Sequence, residues 1–182
     1  MRAFISLDLE DPTILKKIVE IQDRFDRTGA DLKIVETANL HFTLAFLGEI
    51  DQAQRDSICM RLKALNAPPI SFRMRGAGAF PGPGKPRVIW LGVEKGADEL
   101  ARYAEIAKKI ASDSGVMLKD EEFTPHLTIA RVRSLFNKEK LTQELLSLTD
   151  LEIGETITSR IRLKRSTLTP KGSLYEVLCE TA

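Results

Sequence analysis

The chain has two histidines, and each opens the same four-residue pattern: His41-Phe42-Thr43-Leu44 and, 85 positions later, His126-Leu127-Thr128-Ile129. On a β-strand, a His and a Thr two places on share one face, while the interleaved apolar residues occupy the other. Two imidazoles of near-neutral pKa can divide a proton-transfer reaction. One is neutral and takes a proton from a nucleophile; the other is charged and protonates a leaving group. In-line displacement at phosphorus needs that division on opposite sides of the phosphate, and each threonine hydroxyl can donate to a non-bridging oxygen as charge builds up. His41 and His126 are therefore the candidate catalytic residues, with Thr43 and Thr128 as candidate phosphate-binding residues. The blander alternative is a pair of strand histidines satisfied by hydrogen bonds. Zinc usually wants three or four protein ligands, and neither motif has a second His, Cys or carboxylate at ligand spacing, so no metal or cofactor is expected.

The surrounding segments repeat in step with the motifs. Phe4 to Glu10 and Val88 to Glu94 are matching strand candidates at an offset of 84. The first is followed by Asp11-Pro12 and an apolar stripe through Phe25, the second by Gly96-Ala97-Asp98 and a stripe through Ile110, each at helical spacing. A short connector then leads into each motif strand. Further helices are expected at Gln52 to Leu65 and Lys138 to Leu148. Hairpins should follow, Ile70 to Phe80 returning through Val88 to Val93, and Thr156 to Leu168 returning through Leu174 to Cys179. The pattern predicts an α+β fold, bilobal, with pseudo-twofold duplicated antiparallel sheets, helices on the outer faces and a central cleft. Residues 1–182 would form a single domain of two intertwined lobes, each carrying one motif. Alternation places His41, Thr43 and Ala45, and likewise His126, Thr128 and Ala130, toward the cleft. Phe42, Leu44 and Phe46 would then face the core, and the strand should end, twist or reach the cleft rim at Arg131.

Twenty-seven Lys plus Arg against 26 Asp plus Glu leave a net charge of +1, which argues against coating long nucleic acid and permits a local contact with a short end. No segment reaches membrane-spanning length and no long apolar run follows Met1-Arg2-Ala3, so a cytoplasmic chain is expected. Cys59 and Cys179 lack CxxC spacing and are expected as reduced thiols, with a disulfide between them as the alternative. The glycine-rich run from Gly76 to Arg87 leads into a strand and reads as a hairpin loop rather than a phosphate loop. Its Lys85 and Arg87 are candidate RNA contacts, and Arg131, directly after the second motif, is a better one. Phe80, Phe123 and Tyr175 could stack a terminal base, although aromatics in so aromatic-poor a chain are more often core.

Arg2-Ala3-Phe4-Ile5, the first motif with Phe46-Leu47-Gly48-Glu49, Gly78-Ala79-Phe80-Pro81, Arg87-Val88-Ile89-Trp90 and Phe123-Thr124-Pro125-His126-Leu127-Thr128-Ile129-Ala130-Arg131 closely resemble the two-histidine (2H) phosphoesterases, in particular the RNA 2′,3′-cyclic phosphodiesterases, also described as 2′-5′ RNA ligases. The resemblance spans the chain and preserves the order of every segment. It implies metal-independent hydrolysis of an RNA terminal 2′,3′-cyclic phosphate to a 2′-phosphate, with His41 as proton donor to the departing 3′-oxygen and His126 as proton acceptor from water. It also implies RNA 3′ ends as substrates, tRNA fragments among them, in RNA processing; a cleft enclosed within one duplicated chain gives no need for a partner, so a monomer is expected. Reversible 2′-5′ ligation, hydrolysis of another cyclic nucleotide, and non-catalytic binding of RNA ends are the alternatives.

Overall fold

The computed structural model describes residues 1–182. In chain order the elements are β1 (Arg2–Asp8), α1 (Pro12–Asp26), β2 (Leu32–Ile34), a 3-10 turn (Thr37–Asn39), β3 (His41–Glu49), α2 (Gln52–Ala64), β4 (Ile70–Phe80), β5 (Val88–Lys95), α3 (Ala97–Asp113), β6 (His126–Val132), α4 (Lys138–Ser147), β7 (Glu152–Thr158), β8 (Ile161–Thr169) and β9 (Gly172–Glu180). Local chemistry sets the helix starts. Asp11 Oδ1 accepts from the backbone N–H groups of Thr13 and Ile14, at 2.9 and 3.3 Å, with Pro12 in the first turn. Asp51 and Gln54 form a reciprocal capping box at the start of α2. Most of each predicted stripe is buried, Ile14, Ile18, Ile21, Gln22 and Phe25 on α1 and Leu100, Tyr103, Ala107 and Ile110 on α3; Leu15 and Ile106 are partly buried and Val19 is exposed.

All strand pairs are antiparallel and form two sheets, ordered β3-β1-β8-β9 and β2-β6-β5-β4-β7. Each sheet carries one histidine motif, on β3 and β6. The helices are exchanged between the sheets. α1, which leaves β1 of the first sheet and leads into β2 of the second, packs on β2, β6 and β7 of the second. α3, which joins two strands of the second, packs chiefly on β3 of the first. α2 lies on β8 and β9, and α4 on β4. Buried residues of both sheets merge into one apolar core, in which Phe42 of β3 meets Phe72 of β4 edge to face at 5.2 Å.

Three expectations are corrected. The segment Thr156 to Leu168 is not one strand. It is β7, which borders β4 in the second sheet, and then β8, which joins β1 in the first, with the crossing at Ser159-Arg160. The polypeptide changes sheets there, so β8 rather than a single long strand forms the hairpin with β9. The connector before the first motif is not short: β2 pairs with β6 and closes the edge of the second sheet. Cys59 and Cys179 are not free thiols. They form a disulfide that ties α2 to the edge strand β9. No helix is long and apolar enough to cross a membrane.

Candidate active site

Each motif strand contains a β-bulge at the same place. On β3, Ile5 pairs with Ala45 and Ser6 with Thr43, so Leu44 is the extra residue; on β6, Ile89 pairs with Ala130 and Trp90 with Thr128, so Ile129 is extra. An added residue reverses the alternation beyond it. Ala45 and Ala130, expected in the cleft, are therefore buried, while Phe46, expected in the core, is 65% exposed on the face of His41 and Thr43. Arg131 is the counterpart of Phe46 and is likewise exposed; the strand does not end there but continues to Val132. The bulge on β6 has a dedicated support. The buried Gln22 of α1 donates through Nε2 to the carbonyls of Ile129, at 3.0 Å, and Val35, at 2.9 Å.

The two imidazoles are oriented by the same device. Nδ1–H of His41 donates to the Asn39 carbonyl at 2.7 Å, and that of His126 to the Thr124 carbonyl at 2.6 Å, each two residues upstream. With Nδ1 committed as donor, Nε2 of each neutral ring is the lone-pair nitrogen available for chemistry. His41 Nε2 accepts from the Thr43 hydroxyl at 3.0 Å. Aromatic rings steady both. Phe4 and Tyr175 lie 5.0 and 5.5 Å from His41, and Phe80 lies 5.0 Å from His126 in an edge-on contact. Phe80 also meets Trp90, whose ring lies across Gly78: a Cβ there would sit 2.4 Å from the indole, so only glycine permits the approach. Phe80 and Tyr175 are thus half-buried beside the histidines, and Phe123 is half-buried in the loop before His126.

The electrostatics of the two halves differ. On the face of His41, the buried Asp8 accepts from Ser6 at 2.9 Å, from Lys164 at 2.7 Å and from Arg162 at 2.6 Å, and Arg162 also reaches Glu10 and Glu180, each at 2.7 Å. Burial works to raise the Asp8 carboxyl, but hydrogen bonds from Lys164 and Arg162 overcome it and hold its pKa below the ordinary value. His41 is pushed down to about 4, first by burial and then by the cations Lys164 and Arg131, against the hydrogen bond to Asn39 and the charge of Asp8. Arg131 therefore acts electrostatically on the imidazole of the other motif strand. Lys85 and Arg87 lie on or beside the β4–β5 loop, exposed to solvent. Sequence reading missed Ser6, Asp8, Arg162, Lys164 and Gln22. The available signals were an acid and two cations at strand positions in apolar surroundings and a glutamine in an apolar helix stripe. No three His, Cys, Asp or Glu side chains gather as a metal site.

The LigT like phosphoesterase family model matches residues 8–90 and again 91–175, so both halves resemble the same unit. The RNA 2′,3′-cyclic phosphodiesterase of Methanocaldococcus jannaschii is 37% identical over 180 residues, covering 99% of each chain. That of Aeropyrum pernix is also 37% identical, over 90% of this chain and 93% of its own. Among solved structures, a protein of Thermus thermophilus superposes with a TM-score of 0.77 at 29% identity, covering 99% of this chain and 96% of that one. Apo LigT of Escherichia coli shares the fold with a TM-score of 0.76 at 23% identity, over 98% and 95% of the two chains.

Proposed function

The chain belongs to the LigT-like phosphoesterase family, within the two-histidine (2H) phosphoesterases, and we propose that it hydrolyses the terminal 2′,3′-cyclic phosphate of RNA to a 2′-phosphomonoester. The names of its full-length relatives support a cyclic phosphodiesterase. The observation that carries the chemistry is the matched pair of imidazoles, each with Nδ1 tied to a carbonyl two residues upstream and Nε2 left for proton transfer. Water attacks phosphorus as His126 Nε2 takes its proton; the P–O3′ bond breaks and the 3′-oxygen receives a proton from His41 Nε2. Thr43 and Thr128 donate to the non-bridging oxygens, and Arg131 stabilises the developing charge. At neutral pH His41 of the free protein is uncharged. The bound phosphate supplies the negative charge that brings it into its acid form.

Both histidines come from one chain, which supports a monomer acting on RNA 3′ ends such as tRNA fragments, and no step in the scheme calls for a metal. Incubating the protein with a short RNA bearing a 2′,3′-cyclic phosphate in excess EDTA should yield the 2′-phosphate. An intact substrate, a 3′-phosphate product, or loss of turnover on chelation would overturn the reading.

A further inference from the structure

The duplicated frame makes the two halves comparable position by position. Ser6 pairs with Thr43 and Asp8 with His41 on the first sheet; Trp90 pairs with Thr128 and Gly92 with His126 on the second. The same frame thus folds with indole and hydrogen where the first half has hydroxyl and carboxylate. Phe4, which touches the ring of His41, pairs in turn with Lys164 on β8, and paired residues share a face. Lys164 is therefore on the face of His41, with its side chain 4% exposed and its ammonium 2.7 and 2.6 Å from the two Asp8 oxygens. Two buried charges are costly to desolvate, and a well-packed apolar pair often serves stability as well or better. At the equivalent places the second half is uncharged, with Gly92 for Asp8 and Phe80, the partner of Val88, for Lys164; the first half is not.

We propose that Lys164, clasped by Asp8, is a positioning residue for the proton donor, a fixed cation that adds to burial in favouring the neutral His41 imidazole and so tunes how readily it gains its proton when an anionic phosphate enters. The charged and titratable groups facing His41 are Asp8 on β1, Lys164 and Arg162 on β8, Arg131 on β6 and Tyr175 on β9. Among them, Lys164 is buried and held by a carboxylate, so its charge is fixed in place, whereas Arg131 is exposed to solvent. An empty site then holds a neutral imidazole, and the ring takes up its proton from solvent when the anion binds.

The inference rests on His41 being the proton donor, and its test separates the two. Lys164→Met leaves Asp8 with Arg162 and Ser6 as partners. Strands lie about 5 Å apart, so the ammonium is roughly 10 Å from the imidazole, and at an effective dielectric of about 20 its removal should raise the His41 titration midpoint by about one pH unit. The readout is the histidine side-chain NMR signal with saturating inorganic phosphate, and His126 serves as internal control. Lys164→Arg should restore the wild-type midpoint. The alkaline limb of kcat on a cyclic-phosphate RNA should move up by the same amount in Lys164→Met. Asp8→Asn should move His41 in the opposite direction, which keeps the proposal testable if Lys164→Met fails to fold. An unmoved His41 in whichever variant folds, or equal movement of both histidines, would overturn the role of Lys164. A shifted His41 in a protein without turnover would instead leave that role standing and refute the hydrolase reading.

Discussion

Binding of a phosphate anion should convert His41 from a neutral to a charged imidazole at neutral pH. In the free protein its titration lies at about 4, lowered first by burial and then by Lys164 and Arg131. An anion roughly 4 Å from the ring, at an effective dielectric of about 20, interacts by about 4 kcal/mol with the imidazolium. At 1.36 kcal/mol per unit that is about three pH units, enough to bring the midpoint from about 4 to roughly 7. With two histidines in the chain, a histidine-selective NMR titration shows two spin systems, and His41→Ala assigns them. His41 should titrate in the acid range without ligand and near neutrality with saturating inorganic phosphate. The same free-state value has a stability consequence. The folded pKa is below the ordinary 6.5, so the unfolded chain binds more protons in between, and stability falls as pH drops from about 6.5 to about 4, by about 3 kcal/mol in all. His41→Ala should remove that part of the acid sensitivity. A His41 that titrates near 6.5 in the free protein, or that ignores phosphate, would refute the reasoning.

Two further outcomes concern the scaffold. Gln22→Leu keeps the volume of the side chain but takes the Gln22 donor from the Val35 carbonyl and leaves the Ile129 carbonyl with only the Val35 N–H, at 3.0 Å; urea unfolding should show a loss of about 1–3 kcal/mol. Its effect on turnover should exceed that of an equally destabilising change remote from the bulge, because the bulge sets which side chains follow Thr128 onto the active face. Replacing Cys59 and Cys179 together with serine opens a link between residues 120 apart, for which chain entropy gives up to about 5 kcal/mol. Equal urea midpoints with and without the disulfide would contradict that account.

Much of the fold around the site was legible because its signals are short-range. Two identical motifs, an Asp-Pro helix start and two apolar stripes at helical spacing required no knowledge of the tertiary structure, and within each motif the alternation is the one its spacing predicts. The phase beyond the motifs was read wrongly because alternation assumes one residue per register position, and the bulges at Leu44 and Ile129 each add one. A hint was present: Leu44-Ala45 and Ile129-Ala130 are paired apolar residues where alternation wants one. The Asp8–Lys164 pair, 156 positions apart, and the Cys59–Cys179 bond exist only because β8 and β9 return to the first sheet. The sheet change at Ser159-Arg160 has no strong breaker such as glycine or proline, so the run from Thr156 to Leu168 reads as continuous.

The exchange of α1 and α3 bears on how the molecule is made and could be divided. A nascent chain that has emerged through β5 holds the strand of the first histidine but not α3, which must cover it, nor β8, which must flank β1. The second half, severed from the first, would lack α1, and with it the glutamine that braces its own motif. Neither half should therefore fold alone, despite each resembling the same family pattern. Splitting the gene between them should give fragments that regain structure together and not apart, and the two imidazoles become ordered as one cooperative event.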